Sequence, residues 1–370
     1  MLIYCKKCVL PNTRPNINID VNGICDACKN KRKKIDWVVR KKLFLTKIRK
    51  VKNTDNSYDC IIPVSGGKDS TWQVIVALKY GLRPLCVTWR NPDRTKIGQK
   101  NLDNLINLGV DHVDLTINPK ILKYFTKKAF VQMGNPALPM HMAIHSLAQK
   151  FAYKFGCKLI IWGENSADEY GSNTKKFKNQ KMVKGWLKEF GVTNGTVADN
   201  WYDHVLNKKN MEFFKYLEIS KLKKIESIFL GYYFKWDPKK IYKLVSKKNF
   251  VVLKSPKVGI YNYADIDDNF LITIHHWIKL FKFGITREWD NYSLEIRNKR
   301  ISRDKVIMLL KRKGIYEPKK EIKLFCKYIG ISEKQFFNIC NKFRNKKIWK
   351  KNKNRIWEIK NFLIPGFNWK

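Results

Sequence analysis

The sequence predicts an α/β protein: a parallel sheet with helices on both faces, a small metal-binding ribbon ahead of it and a mainly helical region behind it. Three observations carry that expectation. Apolar runs of strand length alternate with helical periodicities across residues 57–180. Two Cys-x-x-Cys pairs stand within residues 1–30. Across 181–370 helical patterns dominate, with many aromatics such as Trp236, Trp277 and Trp289. At 370 residues, 44% hydrophobic and 13% aromatic, the chain can bury a substantial core.

Residues 1–30 hold Cys5, Cys8, Cys25 and Cys28, two pairs separated by sixteen residues. That spacing is the pattern of a zinc ribbon, in which four thiolates close a tetrahedron and leave no open position for catalysis. Paired disulfides and an iron–sulfur cluster are the other readings. Cys60, Cys86, Cys157, Cys326 and Cys340 are isolated, and the first two fall in predicted strands as small apolar residues. Residues 31–56 read as a basic, partly helical connector.

From 57 onward, Tyr58–Val64 predicts the first strand and Trp72–Leu78 the following helix. Between them lies Ser65-Gly66-Gly67-Lys68-Asp69-Ser70. A strand, a glycine turn and a helix aim backbone N–H groups and the positive helix end at one point, which suits an anion. The glycines allow positive φ and close approach to a phosphate. Further strands are predicted over Arg83–Trp89, Asp111–Ile117 and Lys158–Trp162, with helices over Ile97–Leu108, Lys120–Met133 and Leu138–Phe155. Ligands of such sheets lie beyond the carboxyl ends of the strands. The fourth strand ends in Gly163-Glu164-Asn165, and the segment closes with Glu169-Tyr170-Gly171, a suitable place to hold nucleotide or Mg²⁺.

Behind the sheet, Asp265-Ile266-Asp267-Asp268, His275-His276-Trp277 and Phe283–Arg297 form a dense block, and Ser302 reads as a helix cap. His141 and His145 lie four apart but lack a third metal ligand, and the adjacent His275 and His276 point to different helix faces. Neither pair predicts a metal site.

The net charge of +44 is spread through every segment instead of concentrated in a stripe, so it is discounted as a nucleic-acid signal. No apolar run reaches membrane-spanning length, and the start lacks the pattern of a signal peptide, so a cytoplasmic location without membrane contact is expected.

The hexapeptide 65–70 resembles the pyrophosphate-binding loop of the PP-loop ATP pyrophosphatases, whose adenine nucleotide alpha hydrolase-like fold splits ATP between its α- and β-phosphates. The order of the ribbon, this loop, Gly163–Gly171 and Phe283–Arg303 resembles that of the N-acetyl sugar amidotransferases of surface-polysaccharide (lipopolysaccharide O-antigen) and flagellin-sugar biosynthesis. That resemblance, which also includes Cys5–Pro15 and covers nearly the whole chain, implies an ATP-dependent ligase. It would transfer AMP to the acetamido oxygen of an N-acetyl sugar, nucleotide-linked or free, and let ammonia displace AMP to leave an acetamidino group.

Ser65, Gly66, Gly67, Lys68, Asp69 and Ser70, with Gly163, would then hold ATP. Lys68, Asp69 and Glu164 would be catalytic, Asp69 helping to place Mg²⁺. Arg287, Asp290, Ser293 and Arg297 would grip the sugar, and Cys5, Cys8, Cys25 and Cys28 would hold structural Zn²⁺. The resemblance also implies glutaminase-like and cyclase-like partner subunits supplying ammonia. Relatives often carry His where this chain has Asn291; if that His carries a proton in them, another group or water must do so here. The competing reading is a tRNA-thiolating PP-loop enzyme, which should carry a further cysteine pair; a non-catalytic zinc-ribbon protein that binds nucleotide is the third.

Overall fold

In the computed structural model, residues 1–30, 35–52, 57–172, 177–183 and 185–369 are described. Parts of the expected connector, residues 31–34 and 53–56, therefore lie outside the described residues. Its middle is a helix, α1 (Trp37–Lys52), which buries Phe44, Ile48 and Val51.

The predicted strands form as β1 (Cys60–Pro63), β2 (Pro84–Trp89), β3 (Asp111–Leu115) and β4 (Leu159–Trp162). All pair in parallel, in the spatial order β3-β2-β1-β4-β5. The fifth strand, β5 (Glu226–Phe229), is a difference from expectation, because it comes from the region read as mainly helical. Its Glu-Ser-Ile-Phe run is too short to show a period, and only pairing with β4 makes it a strand.

The two-fold alternation of side chains along a strand divides the sheet between two cores. Ile61, Leu85, Val87 and Ile160 face one of them, with α4 (Pro119–Met133) and α5 (Leu138–Lys154). Cys60, Ile62, Cys86 and Ile161 face the other, with α1, α2 (Lys68–Lys79), α3 (Lys96–Ile106) and α6 (Pro238–Val245). The isolated Cys60 and Cys86 are thus core residues, as expected. Helices cover both faces, as the continuous apolar strands require.

The remainder is α7 (Leu271–Phe283), α8 (Arg287–Arg297), α9 (Arg303–Lys313), α10 (Lys319–Ile329), α11 (Glu333–Lys342) and a hairpin of Trp349–Lys351 with Trp357–Ile359. Ser302 caps α9 by accepting the Lys305 N–H at 3.3 Å. No helix among the described residues is long and apolar enough to cross a membrane.

Strand order reverses between β1 and β4. The crevice beyond the carboxyl ends of these two strands is where such sheets bind ligands. Ser65–Ser70 follows β1 and Glu164 follows β4, so the fold brings both segments to that crevice.

Candidate active site

The loop after β1 is held by its own hydroxyls. Ser70 Oγ donates to the Gly67 carbonyl at 2.9 Å, and Gly67 N–H donates to Ser65 Oγ at 3.3 Å. Gly66 has φ +81°, and a Cβ there would lie 2.7 Å from Leu102 N and 2.9 Å from the Gly98 carbonyl oxygen. The loop can therefore pack on α3 only with glycine at this position. Gly67 caps α2 without any side-chain bond, unlike Thr95 at α3, Asn118 at α4 and Ser302 at α9. The first-turn N–H groups of α2 thus remain available to an anion.

Lys68 is almost fully buried and donates to Asp69 Oδ2 at 2.5 Å; Trp236 Nε1–H donates to the other carboxylate oxygen at 3.0 Å. Both Asp69 oxygens are engaged, which leaves this carboxylate less open to a metal than the sequence suggested. Asp267 also lines the cleft, beside Ser65 and Lys68. Burial, with Asp268 adding to it, pushes its carboxyl up to about 6. The sequence displayed this residue only as part of an acidic cluster, with no sign of which carboxylate would turn inward.

Glu164, Tyr170, Asp265 and Arg287 line the loop cleft and also a second chamber of about 460 Å³. The two cavities are therefore neighbours that share these four side chains. Burial, then the neighbouring Asp69, raises the Glu164 carboxyl above its usual value.

His141 of α5, His275, His276, Lys279 and Lys282 of α7, and Arg14 and Asp290 also line the chamber. His275 and His276, adjacent on α7, both reach the chamber, and the His141 and His275 rings lie 6.1 Å apart. His141 Nδ1–H donates to the Ala137 carbonyl at 2.8 Å, leaving Nε2 as its acceptor. Burial lowers His141 to about 4 and His275 and His276 well below their usual value, so all three are neutral at pH 7.

Of the four expected sugar-gripping residues, Arg287 and Asp290 reach the chamber. Ser293 is fully buried and lines neither cavity. Arg297 faces another hollow beside Trp37 and Arg40, where its Nη2 donates to the Glu169 carbonyl at 3.0 Å. One helix turn separates residues 290, 293 and 297, and α8 presents only part of that stripe to the chamber. Gly163 packs beneath the cleft against Gln73, and its carbonyl accepts the Gly231 N–H at 2.9 Å. Asn291 Oδ1 accepts the Ile260 N–H at 3.2 Å, where Gly259 (φ +75°) leaves room for it. In this chain position 291 fastens backbone.

Arg14, which the sequence offered only within a motif, donates from Nε to Asp290 Oδ1 at 2.7 Å and lies 5.0 Å over the Tyr170 ring. Thr13 Oγ1–H donates to the Phe283 carbonyl at 2.7 Å, and Asn16 Nδ2–H to the Glu189 carbonyl at 2.8 Å. The segment after the second cysteine is therefore a wall of the chamber.

The four cysteines are buried, with ligand atoms all within 4.8 Å of one another. Backbone N–H groups of Lys7, Cys8 and Cys25 point at Cys5 Sγ at 3.3–3.5 Å. Four sulfurs drawn together with N–H donors that offset thiolate charge fit a tetrahedral metal ion. We expect a strong chelator or a mercurial to release one metal per chain and lower the thermal midpoint, because binding at such a site contributes folding energy. Metal analysis with calorimetry checks this, and an unchanged midpoint after release contradicts it.

A parallel five-stranded sheet with helices on both faces and an uncapped glycine turn at its switch point defines the class: a doubly covered parallel α/β protein. Residues 259–363 match the family model described as "LPS biosynthesis protein WbpG-like, C-terminal domain". The matched stretch begins at the Gly259 turn and runs through α7–α11 and the hairpin, so it supplies Arg287, Asp290 and the α7 wall. No curated protein matches the chain. Among solved structures, the NH3-dependent NAD synthetase of Campylobacter jejuni is 23% identical over 37% of this chain and 62% of that one, with a TM-score of 0.28. The NMN synthetase of Francisella tularensis is 13% identical, covering 60% of this chain and all of that one, with a TM-score of 0.29. A predicted tRNA methyltransferase subunit of Methanocaldococcus jannaschii is 18% identical over 63% and 91%, also at 0.29.

Proposed function

We propose that the protein is an ATP-dependent amidotransferase of lipopolysaccharide O-antigen or flagellin-glycan biosynthesis, converting the acetamido group of an N-acetylated sugar into an acetamidino group with release of AMP and pyrophosphate. The observation that carries this reading is that the loop cleft and the neighbouring chamber, part of whose wall comes from the WbpG-like segment, share Glu164 and Arg287. A phosphate held at the α2 N-terminus and an acceptor held in the chamber meet at Glu164 and Arg287. Acyl activation needs that geometry.

An amide oxygen leaves poorly, so AMP is first transferred to it. The N–H groups of the loop hold the β- and γ-phosphates, and Lys68 offsets charge growing on the pyrophosphate. Asp69, kept in place by Lys68 and Trp236, shapes the cradle. Asp267 and Glu164 are the carboxylates suited to Mg²⁺, which supplies charge neutralisation on the phosphates. Arg287 faces the transferring α-phosphate from the chamber side. Zinc is the ion we assign to the four cysteines. Ammonia would come from glutaminase-like and cyclase-like partners, with ammonium salts substituting in vitro, and the reaction would take place in the cytoplasm.

Thiolation is disfavoured by a specific observation: Cys60, Cys86 and Cys157 are all buried in the sheet core, away from the cleft. The test is a panel of free and UDP-linked N-acetylated hexosamines with ammonium chloride and ATP labelled at the α-phosphate. Label should emerge as AMP only when an acceptor is present. Release as ADP overturns the reading, and so does the absence of AMP with every acceptor.

A further inference from the structure

The chamber contains an amine that the roles above leave unused. Lys279 lines it from α7, one turn beyond His275 and His276, and forms no hydrogen bond or ion pair among the described residues. Two of the chamber's carboxylates pair with arginines. Asp290 is taken by Arg14 at 2.7 Å, and Asp265 faces Arg287 at 3.7 Å.

The other groups around it are of mixed charge, with several cations and neutral histidines among them. The ribbon contributes Arg14, α8 contributes Arg287, and α5 contributes the neutral His141. On its own helix, His275 and His276 are neutral, and Lys282 is turned away to the Met133 carbonyl at 3.0 Å. Glu164 and Tyr170 face it from beyond β4, and Lys188 and Glu189 from the rim. Burial lowers Lys279 to about 8; Arg287 and Arg14 add to that, against the pull of Asp290. An ordinary lysine keeps its proton far above neutral pH, whereas this one gives it up near pH 8.

We propose that Lys279 is the base that takes a proton from the attacking ammonia when AMP is displaced, a role that rests on the reaction proposed above. Adenylylation leaves an O-adenylyl imidate whose nitrogen keeps its hydrogen and carries positive charge. The ammonia nitrogen bonds to the imidate carbon and becomes an ammonium centre. The neutral Lys279 amine removes one of its protons. The carbon–oxygen bond to the adenylate then breaks, AMP leaves with that electron pair, and the amidinium product remains. Lys279 returns the proton to solvent through the open chamber.

The base acts unprotonated, so the amidination rate rises with pH through about 8. In Lys279→Arg the charge persists but the proton cannot be accepted. The acceptor giving the most AMP in the panel above is used with the full-length protein, first without ammonium to measure the pyrophosphate burst, then with it to measure amidine by mass spectrometry. With the free ammonia concentration held constant across the pH range, Lys279→Arg and Lys279→Met should keep a burst of about one equivalent, lose amidine formation by about 10²-fold or more, and lose the rising pH limb near 8. Unchanged amidine formation with an unchanged pH profile overturns the proposal. Loss of the burst in both variants also overturns it, because Lys279 then holds the acceptor. Failure of the wild type to give any AMP instead overturns the reaction itself.

Discussion

Replacing Gly66 with alanine should abolish ATP-dependent turnover while leaving the sheet folded. The backbone there sits at φ +81°, which costs an L-residue about 1–2 kcal/mol, and the new Cβ would press on two backbone atoms of α3 that cannot swing aside. The loop must shift, and every donor aimed at the anion shifts with it. Removing one preorganised donor costs about 10²–10³ in rate, so loss of the whole cradle should exceed that. Gly67→Ala is the control. Its φ of −71° suits any residue, and its added Cβ would meet only Ser65 Oγ, at 3.2 Å. Thermal shift with ATP–Mg²⁺ reads binding directly. Stabilisation by nucleotide that survives in Gly66→Ala would refute this account of the loop.

Arg14→Met should remove acceptor-dependent turnover and destabilise the fold by about 3 kcal/mol, at the low end for breaking a buried ion pair because Lys279 and Arg287 stay near Asp290. The pH dependence gives the test its sign. Burial alone would raise the Asp290 carboxyl, but Arg14 and then Lys279 and Arg287 outweigh it and hold it below the ordinary aspartate value. A depressed folded-state pKa contributes stability that is complete above about pH 4 and is lost as the pH falls through the folded value. The gap between wild type and Arg14→Met should therefore be widest at neutral pH and narrow toward pH 3. Denaturant melts at several pH values measure it. A constant gap would mean that Arg14 acts by packing alone.

Much of the molecule could be read from local pattern. Period and turn chemistry located β1 to β4 and their helices: β1, β2 and β4 are short apolar runs bounded by turns, and β3 is an alternating edge strand. The element that escaped, β5, is four residues long and gains its identity from β4. The site divided in the same way. The loop was legible because one contiguous hexapeptide carries both its shape and its donors. The chamber was not, because its walls come from residues around 14, 141, 164, 279 and 290, and no spacing along the chain records their meeting.

By itself, then, the sequence determined what is chemically local: a cysteine quartet able to close on one ion, and a glycine turn able to hold a phosphate. The tertiary structure alone decided which side chains share a cavity. It placed Arg14 on Asp290, gathered three histidines into one wall and left Lys279 there without a hydrogen bond or ion pair among the described residues. Burial and the distance between charges set those properties, and both depend on how distant segments pack.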